Sequence, residues 1–98
     1  MKLRFAPRAL TEAKRIKSWW RANRPSAPDL FEQELDAALQ WLSDAPLLGT
    51  RYEQGELEPV VRRLALSRTK NHVYYAVEGD EIVILSVWSA RRGHGPKL

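Results

Sequence analysis

The chain has 98 residues, of which 44% are apolar, and a formal net charge of +4 at pH 7. This length and apolar content predict one globular domain over residues 1–98, with a core just large enough to fold alone, and exclude a disordered chain. Because the chain has no cysteine, disulfides, thiolate catalysis and cysteine-based metal sites are excluded. His72 and His94 show no metal-ligand spacing, so we expect neither a metal nor another cofactor.

The charges are distributed in three blocks. Residues 1–24 carry eight Lys or Arg and one acid, residues 25–58 carry eight acids and one arginine, and residues 59–98 carry seven bases and three acids. Mutual pairing of the first two blocks across a helical hairpin, for solubility, is as good an interpretation as a functional one. The third block has no acidic partner beside it in sequence. It is the better candidate for binding nucleic acid or an acidic protein segment.

A short strand and a helix are predicted at the start of the chain. Residues 2–6 alternate polar and apolar side chains and end at Pro7, which suits the first turn of a helix. The helix extends from residue 8 to about residue 23, because the Arg24-Pro25 step disfavours the α conformation. Its apolar face, at helical spacing, consists of Ala9, Ala13, Ile16 and Trp20.

A second helix follows after a short connection. Ser26 is the predicted N-cap, with Asp29 three residues later in a pattern similar to a capping box. The helix ends at residues 43–46. Its apolar stripe consists of Phe31, Leu35, Ala38, Leu39 and Leu42. The short connection predicts an antiparallel helical hairpin.

The second half of the chain is predicted to form strands. Residues 47–58 lack a clear period and indicate a loop. Three strands are expected, at residues 59–66, 71–78 and 81–89. The Gly79-Asp80 pair is a strong hairpin signal between the last two strands. Residues 82–85 are all apolar, which indicates a central last strand with both faces covered.

The predicted fold is α+β in the order β-α-α-β-β-β, with the helical hairpin packed on one face of a mainly antiparallel four-stranded sheet. Residues 93–98 are expected to be a mobile tail. The apolar runs are far shorter than the roughly 20 residues that a membrane-spanning helix needs. No secretory signal is visible, so we expect no membrane association and a cytoplasmic location.

Five stretches follow one another along nearly the whole chain: WWRANRP, LFEQELDAALQWL, DAPLLGTRY, VRRLALSRTKNHVYYAV and EIVILSVWSARRG. In this order and spacing, the chain resembles the RelE/ParE family of bacterial toxins from type II toxin–antitoxin systems. The resemblance implies the fold that periodicity also predicts. It further implies a growth-inhibiting toxin that a cognate antitoxin protein neutralises in a hetero-oligomer.

The resemblance leaves two functions to compare. RelE-like members enter the ribosome and cleave mRNA without a metal, whereas ParE-like members inhibit DNA gyrase and trap its cleaved complex. For RNA cleavage, arginines would stabilise the phosphorane-like transition state. The catalytic residues implied for a RelE-like activity are Arg62 or Arg63, Arg91 or Arg92, and His94. His94 is the only near-neutral proton carrier in the tail.

The catalytic set departs from the RelE-like pattern. The segment SARRGHGPKL has no tyrosine where RelE-like nucleases usually carry one. Glu53, Gln54, Glu56 and Glu58 replace the basic residues that RelE carries before the arginine strand, and these acids are more simply explained as solvent-facing. The ParE-like function, a non-enzymatic gyrase inhibitor, is therefore favoured, with ribosome-dependent mRNA cleavage as the alternative. A small RNA-binding module ranks third, because no helix follows the sheet.

Basic and aromatic residues are the candidates for binding the antitoxin or the target. They are Trp19, Arg62, Arg63, Lys70, Trp88, Arg91 and Arg92. Strand alternation places Arg62 and Arg63 on opposite faces, so only one of them is expected in a shared site. Pairing of an arginine with a helix carboxylate is an equally good interpretation. Tyr74 and Tyr75 also face opposite ways, one into the core and one to the surface. His72 is expected to be structural.

Overall fold

The computed structural model describes residues 1–52 and 59–98. Its elements in chain order are β1 (Lys2–Phe5), α1 (Pro7–Asn23), α2 (Leu30–Asp44), β2 (Thr50–Arg51), β3 (Arg62–Leu66), β4 (Asn71–Glu78) and β5 (Glu81–Ser89). A short 3-10 turn over Ala90–Arg92 follows β5. Within the two described ranges, no helix combines the length and apolar character needed to cross a bilayer.

The strands form one sheet in the order β1-β5-β4-β3-β2. β1 is parallel to β5, and all other neighbouring strands are antiparallel. The predicted α+β class is confirmed, but the described residues form five strands instead of four, because Thr50 and Arg51 pair with Arg63 and Arg62. Two paired residues are too few to give a periodic signal, so the sequence predicted a loop there.

Both helices pack on the same face of the sheet. The core consists of Ala9, Ala13, Phe31, Leu35, Ala38, Leu42, Leu66, Val73, Tyr75, Ile82, Ile84 and Val87. β5 lies between β1 and β4, and Ile82, Val83 and Ile84 are each at most 3% exposed. The prediction of a central last strand is therefore confirmed.

The start of α2 differs from the prediction. The helix begins at Leu30 with Asp29 as its N-cap, not after Ser26, and the Asp29 side chain makes no cap hydrogen bond. Pro28 disfavours the α conformation at the residue before it. The Asp29 carboxylate instead accepts a hydrogen bond from Arg21 Nε of α1, at 3.3 Å. The connection between the helices is therefore longer than the capping pattern indicated.

Ion pairs join the two helices across the hairpin. Lys17 pairs with Glu32 of α2, and Arg21 pairs with Asp29, the N-cap of α2, so that bases of α1 meet acids at the start of α2. The hydrogen bond from Lys17 holds the pKa of the Glu32 carboxyl below its ordinary value of 4.5. Part of the first two charge blocks is thus used for mutual pairing.

α1 also closes the outer edge of β5 beyond the end of β1. The Ala6 N–H donates to the Ile84 carbonyl at 2.8 Å, where the pairing of β1 with β5 ends. Further along, the Glu12 carboxylate accepts from the Val87 N–H at 3.1 Å and from the Ser86 hydroxyl at 2.8 Å. A helix carboxylate thus satisfies edge donors that no strand reaches.

Candidate functional site

The face of the sheet opposite the helices, which we call the open face, carries Arg63, His72, Tyr74 and Trp88. In the strand register Arg63 is opposite Tyr74, and His72 is opposite Trp88. His72 and Tyr74 are in an edge-to-face arrangement with ring centroids 6.1 Å apart. The hairpin of β3 and β4 and the last strand thus bring a guanidinium, an imidazole, a phenol and an indole together.

The first arginine pair divides between the two faces, as alternation predicts. Arg62 Nη1 donates to the Gly49 carbonyl at 3.0 Å, on the helix side of the sheet. Gly49 in turn donates its N–H to the Tyr75 hydroxyl at 2.8 Å in the buried interior. Arg62 therefore links β3 to the segment before β2, and Arg63 is the member of the pair on the open face.

The second arginine pair also divides. The Arg92 guanidinium lies over the Trp88 ring, 3.9 Å from its centroid. Arg91 points to a separate groove beside the helices. The 3-10 turn causes this split, and the Ser89 hydroxyl stabilises the turn by accepting the Arg91 N–H at 3.2 Å.

Burial and the neighbouring arginine shift the titration of two open-face groups. Burial lowers the pKa of His72 below its ordinary 6.5, and the positive charge of Arg63 lowers it further. Burial raises the pKa of Tyr74 above 10.0, although a hydrogen bond with Arg63 opposes this shift. At neutral pH the site therefore presents a cationic guanidinium beside an uncharged imidazole and an uncharged phenol.

Residues 93–98 fold back over the open face. Gly93 has φ +76°, a left-handed conformation that glycine adopts without strain and that turns the chain around. The Trp88 Nε1–H donates to the His94 carbonyl at 2.8 Å, the Tyr52 hydroxyl donates to the Pro96 carbonyl at 3.4 Å, and Pro96 is buried. The mobility expected of this segment stays a prediction.

Two further contacts involve the start of α1 and the edge of the sheet. Arg8 donates from Nη1 to the Lys97 carbonyl, and its guanidinium lies 5.6 Å from the Trp88 ring centroid.

A polar pocket of about 280 Å³ remains between the tail and the sheet. It is lined by Arg63, His72, Tyr74, Trp88, Ser89, Ala90, Gly93, His94 and Gly95.

Tyr74 is buried, although the sequence predicted that one of the two tyrosines would lie at the surface. Tyr75 is in the helix-side core, as expected. Tyr74 is only 1% exposed because the Tyr52 ring packs edge-to-face on it, with centroids 4.7 Å apart. A face without helices is thus covered locally by side chains from distant segments.

The second site is a groove between the end of α1 and the far ends of the strands, which we call the arginine–tryptophan groove. It has a volume of about 280 Å³ and is lined by Ile16, Trp19, Trp20, Arg24, Arg68, Thr69, Asn71, Ser89 and Arg91. Trp19 is 46% exposed. The Arg24 guanidinium lies over both indoles, 4.7 Å from the Trp19 centroid and 5.8 Å from that of Trp20.

Glu34 of α2 holds the turn that forms one wall of this groove. Its carboxylate accepts from the Arg68 N–H at 2.7 Å, the Thr69 N–H at 3.0 Å and the Thr69 hydroxyl at 2.6 Å. Lys70 follows with φ +63°, and its carbonyl accepts the Ala90 N–H at 2.9 Å. Lys70 is exposed at the turn but does not line the groove.

The candidate residues therefore fall into two sites. Those at the open face are Arg63, Trp88, Arg92 and His94. Those in the arginine–tryptophan groove are Trp19 and Arg91. Arg62 and Lys70 belong to neither site, and the roles proposed for all these residues in catalysis or binding stay predictions.

Sequence reasoning missed several members of both sites. The pairing of Arg63 with Tyr74 follows from the predicted β3–β4 hairpin, so this register was a usable signal for His72 and Tyr74. The contributions of Arg8 and Tyr52 depend on contacts across 89 and 44 residues, which no local pattern indicates. Arg24 and Arg68 had only their charge as a signal.

No metal site is visible in the part of the chain that the structure describes. Within residues 1–52 and 59–98, no three His, Asp or Glu side chains are grouped so as to hold a metal ion. The loop acids Glu53, Glu56 and Glu58, which are expected to face solvent, lie outside the described residues.

Comparison with known proteins assigns the family. The family model "ParE toxin of type II toxin-antitoxin system, parDE" matches residues 3–93. No protein of curated function matches the chain. Among solved structures, the chain is similar to one from the "Chromosomal ParDE TA system from P. aeruginosa", with 22% identity, a TM-score of 0.73 and coverage of 91% of this chain and 95% of that chain. At that identity the likeness concerns the fold. Because the family model covers nearly the whole chain, the chain belongs to the ParE toxin family of type II toxin–antitoxin systems.

Proposed function

We propose that this chain is a growth-inhibiting toxin that acts by binding DNA gyrase, and that a cognate antitoxin neutralises it in a hetero-oligomer. The observation that carries the proposal is the position of residues 93–98 over the open face, where an RNA-cleaving set would have to lie. The family match supports the ParE-like function. The P. aeruginosa relative is described as a ParDE system, which supports an antitoxin partner.

The covered open face argues against metal-free cleavage of mRNA. Such cleavage needs a base for the 2′-hydroxyl, a cation beside the phosphorane and an acid for the departing oxygen. Arg63 and the uncharged imidazole of His72 meet two of these needs. A nucleotide would reach them only after residues 93–98 had moved, and no carboxylate of the described residues lines the pocket. A binding inhibitor requires no such set.

One observation nevertheless favours mRNA cleavage as a second candidate function. The polar pocket places Arg63 beside His72 and Tyr74, a cation next to a base that is uncharged at neutral pH. If the ribosome displaced the tail, these three side chains would face the substrate. Under this function, Arg63→Ala and His72→Ala would each remove the cleavage activity.

A two-part assay of the purified protein distinguishes the two functions. One part measures supercoiling by DNA gyrase and the accumulation of cleaved DNA complex, and the other measures cleavage of mRNA on programmed ribosomes. We expect inhibition of gyrase with intact mRNA. Ribosome-dependent cleavage without an effect on gyrase would refute the gyrase proposal and identify Arg63 and His72 as the first residues to mutate.

The basic end of β5 is expected to contribute to association with the antitoxin. Reversing its charge with Arg91→Glu and Arg92→Glu should lower the association rate on the order of tenfold at low salt, because complementary charges steer the encounter of two proteins. Stopped-flow mixing with the antitoxin measures this rate. The control is Lys14→Glu with Arg15→Glu, which makes the same charge change on the exposed side of α1. Unchanged antitoxin binding and toxicity in the first variant would remove this role from the basic end.

A further inference from the structure

The polar pocket between the tail and the open face is built from two distant parts of the chain. The sheet contributes Arg63, His72 and Tyr74, and the tail contributes residues 93–95. At about 280 Å³, the pocket lies just below the range of roughly 300–1,000 Å³ that is typical of small-molecule sites. A ligand that fills this pocket is therefore small and contacts the sheet and the tail at the same time.

The sheet side of the pocket offers positive charge and hydrogen-bond donors. Within residues 1–52 and 59–98, no carboxylate lines the pocket, and the Arg63 guanidinium makes no ion pair. Burial keeps His72 and Tyr74 uncharged at neutral pH, because it lowers the pKa of the imidazole and raises the pKa of the phenol. Each of these neutral groups donates one hydrogen bond. A cation with two donors beside it suits an oxyanion.

The backbone of the tail has a second feature that suits an anion. Arg92 ends a right-handed 3-10 turn, and Gly93 follows it in the left-handed region, with φ 76° and ψ −2°. A right-handed residue followed by a left-handed one directs successive backbone N–H groups to one side and forms an anion-binding concavity. Gly93 has no side chain, so it lines the pocket with its backbone.

The docked tail restricts the ligand to a small molecule. The His94 and Pro96 carbonyls accept hydrogen bonds from Trp88 and Tyr52, so the tail lies across the open face. A nucleic-acid strand would occupy a groove over several nucleotides, and the tail lies in that path. The pocket is therefore a different site from the one that mRNA cleavage would need, because mRNA cleavage would require the tail to be displaced.

We propose that this pocket binds the phosphate or carboxylate group of a small molecule, and that the bound oxyanion fastens residues 93–98 to the open face. On the sheet side the oxyanion pairs with Arg63 and accepts a hydrogen bond from the Tyr74 hydroxyl. On the other side it accepts hydrogen bonds from the backbone of the tail. A ligand that binds only the docked state stabilises that state by mass action. This inference goes beyond gyrase inhibition and does not depend on it.

The test titrates the purified full-length chain with sodium phosphate while sodium chloride keeps the ionic strength constant. A parallel titration with sodium acetate distinguishes a phosphate site from a carboxylate site. The readout is the NMR signal of the indole N–H groups. Trp88 reports on the pocket, because its indole N–H donates to the His94 carbonyl. Trp41 is the internal reference, because it is 62% exposed on α2 and does not line the pocket.

The variant for the test is Arg63→Gln. Its matched control is Arg15→Gln, which makes the same charge change on the exposed side of α1. Circular dichroism verifies that both variants are folded. Hydrogen exchange of the Trp88 indole N–H in the unchanged chain is a second measurement. It keeps the proposal testable even if Arg63→Gln does not fold.

We expect phosphate or acetate to shift the Trp88 signal with a dissociation constant on the order of 1 mM and to leave the Trp41 signal in place. Arg63→Gln should weaken this binding about tenfold, and Arg15→Gln less than about twofold. At an anion concentration about ten times the dissociation constant, exchange of the Trp88 indole N–H should slow about tenfold, because the anion binds only the docked tail.

Three results would overturn the site: no saturable shift with either anion, an equal shift with sodium chloride alone, or equal affinity of Arg63→Gln and the unchanged chain. Saturable binding with faster exchange at Trp88 would overturn the fastening of the tail, because the anion would then bind the open face with the tail released. Binding of both anions with slower exchange supports a general oxyanion site, and binding of one of them identifies the group that is recognised.

Discussion

At the scale of single residues, Arg63 determines the electrostatics of the open face. Its guanidinium lies near His72 and Tyr74 and 5.9 Å from the Tyr52 ring centroid. It favours the uncharged form of the imidazole and opposes the effect of burial on the phenol. Arg63 therefore lowers the pKa of both neighbours, which opposes formation of the imidazolium cation at His72 and favours formation of the phenolate anion at Tyr74.

The lowered pKa of His72 predicts that folding is less stable at mildly acidic pH. Above about pH 6.5 the histidine is neutral in both the folded and the unfolded chain. As the pH falls below that value, the unfolded chain binds a proton first, so the free energy of unfolding decreases until the folded pKa is passed. The loss is about 1.4 kcal/mol for each unit between the two pKa values.

Urea unfolding at about pH 7.5 and about pH 5.5 measures this loss, in a range above the titration of most carboxyls. We expect His72→Gln to reduce the difference in the free energy of unfolding between the two pH values. An equal pH dependence in the unchanged chain and in His72→Gln would contradict the prediction.

The alternation of strand residues was enough to predict that Arg62 and Arg63 separate, but not which of them reaches the functional face. That choice depends on the Gly49 carbonyl, which lies 13 residues before Arg62 and accepts a hydrogen bond from its guanidinium. It also depends on the return of residues 93–98. Local sequence patterns indicate neither of these contacts. The sequence could therefore predict only that one of the two arginines reaches the open face, not which one.

At the scale of elements, two glutamates connect the helices to the sheet through backbone donors. Glu12 of α1 accepts from the edge of β5, and Glu34 of α2 accepts from the β3–β4 turn. Each carboxylate meets N–H groups that would otherwise lack a partner. The strands β4 and β5 and their hairpin were predictable from periodicity and Gly79-Asp80. These helix–sheet contacts were not, because a lone glutamate on a helix has the same local pattern whether or not a strand lies beneath it.

Removal of the Glu34 carboxylate should destabilise the fold and disorder the wall of the arginine–tryptophan groove. Glu34→Ala deletes three hydrogen bonds and leaves Thr69, which is 7% exposed, without an acceptor for its hydroxyl. We expect a loss of about 2 kcal/mol in the free energy of unfolding. Urea unfolding measures it, with Asp36→Ala on the exposed side of the same helix as the control. Equal stability of the two variants would show that the turn does not depend on this carboxylate.

At the scale of the whole molecule, the two faces of the sheet are covered in different ways. Helices cover one face, and the other is covered in part by residues 93–98, together with Arg8 and Tyr52. The helices could be predicted because their apolar stripes repeat. The return of the tail could not, since it depends on one left-handed glycine and on contacts far apart in sequence.

Displacement of the tail should expose Trp88 without unfolding the domain. A Cβ added at Gly95 would overlap the Tyr52 hydroxyl, so Gly95→Ala should separate the tail from the open face and lower the free energy of unfolding by about 1 kcal/mol. Hydrogen exchange of the Trp88 indole N–H, followed by NMR, should become faster because its bond to the His94 carbonyl is lost.

The control for this variant is Gly79→Ala. It introduces strain at φ +62° in the hairpin, where a Cβ would meet no neighbour within 4 Å, and so destabilises the chain without touching the tail. If the Trp88 indole exchanged equally fast in both variants, general destabilisation and not release of the tail would be the cause. Fast exchange already in the unchanged chain would support the predicted mobility of residues 93–98.

The parallel pairing of β1 with β5 has a consequence for the synthesis of the protein. β1 is synthesised well before its partner β5, with Lys2 opposite Glu81 and Phe5 opposite Ile84. Until residue 84 has emerged, the apolar stripes of both helices have no β5 to pack against, and β1 has no partner strand for its backbone hydrogen bonds. Folding of this domain therefore completes only after β5 has emerged, and until then the nascent chain presents the apolar surface of its helices to chaperones.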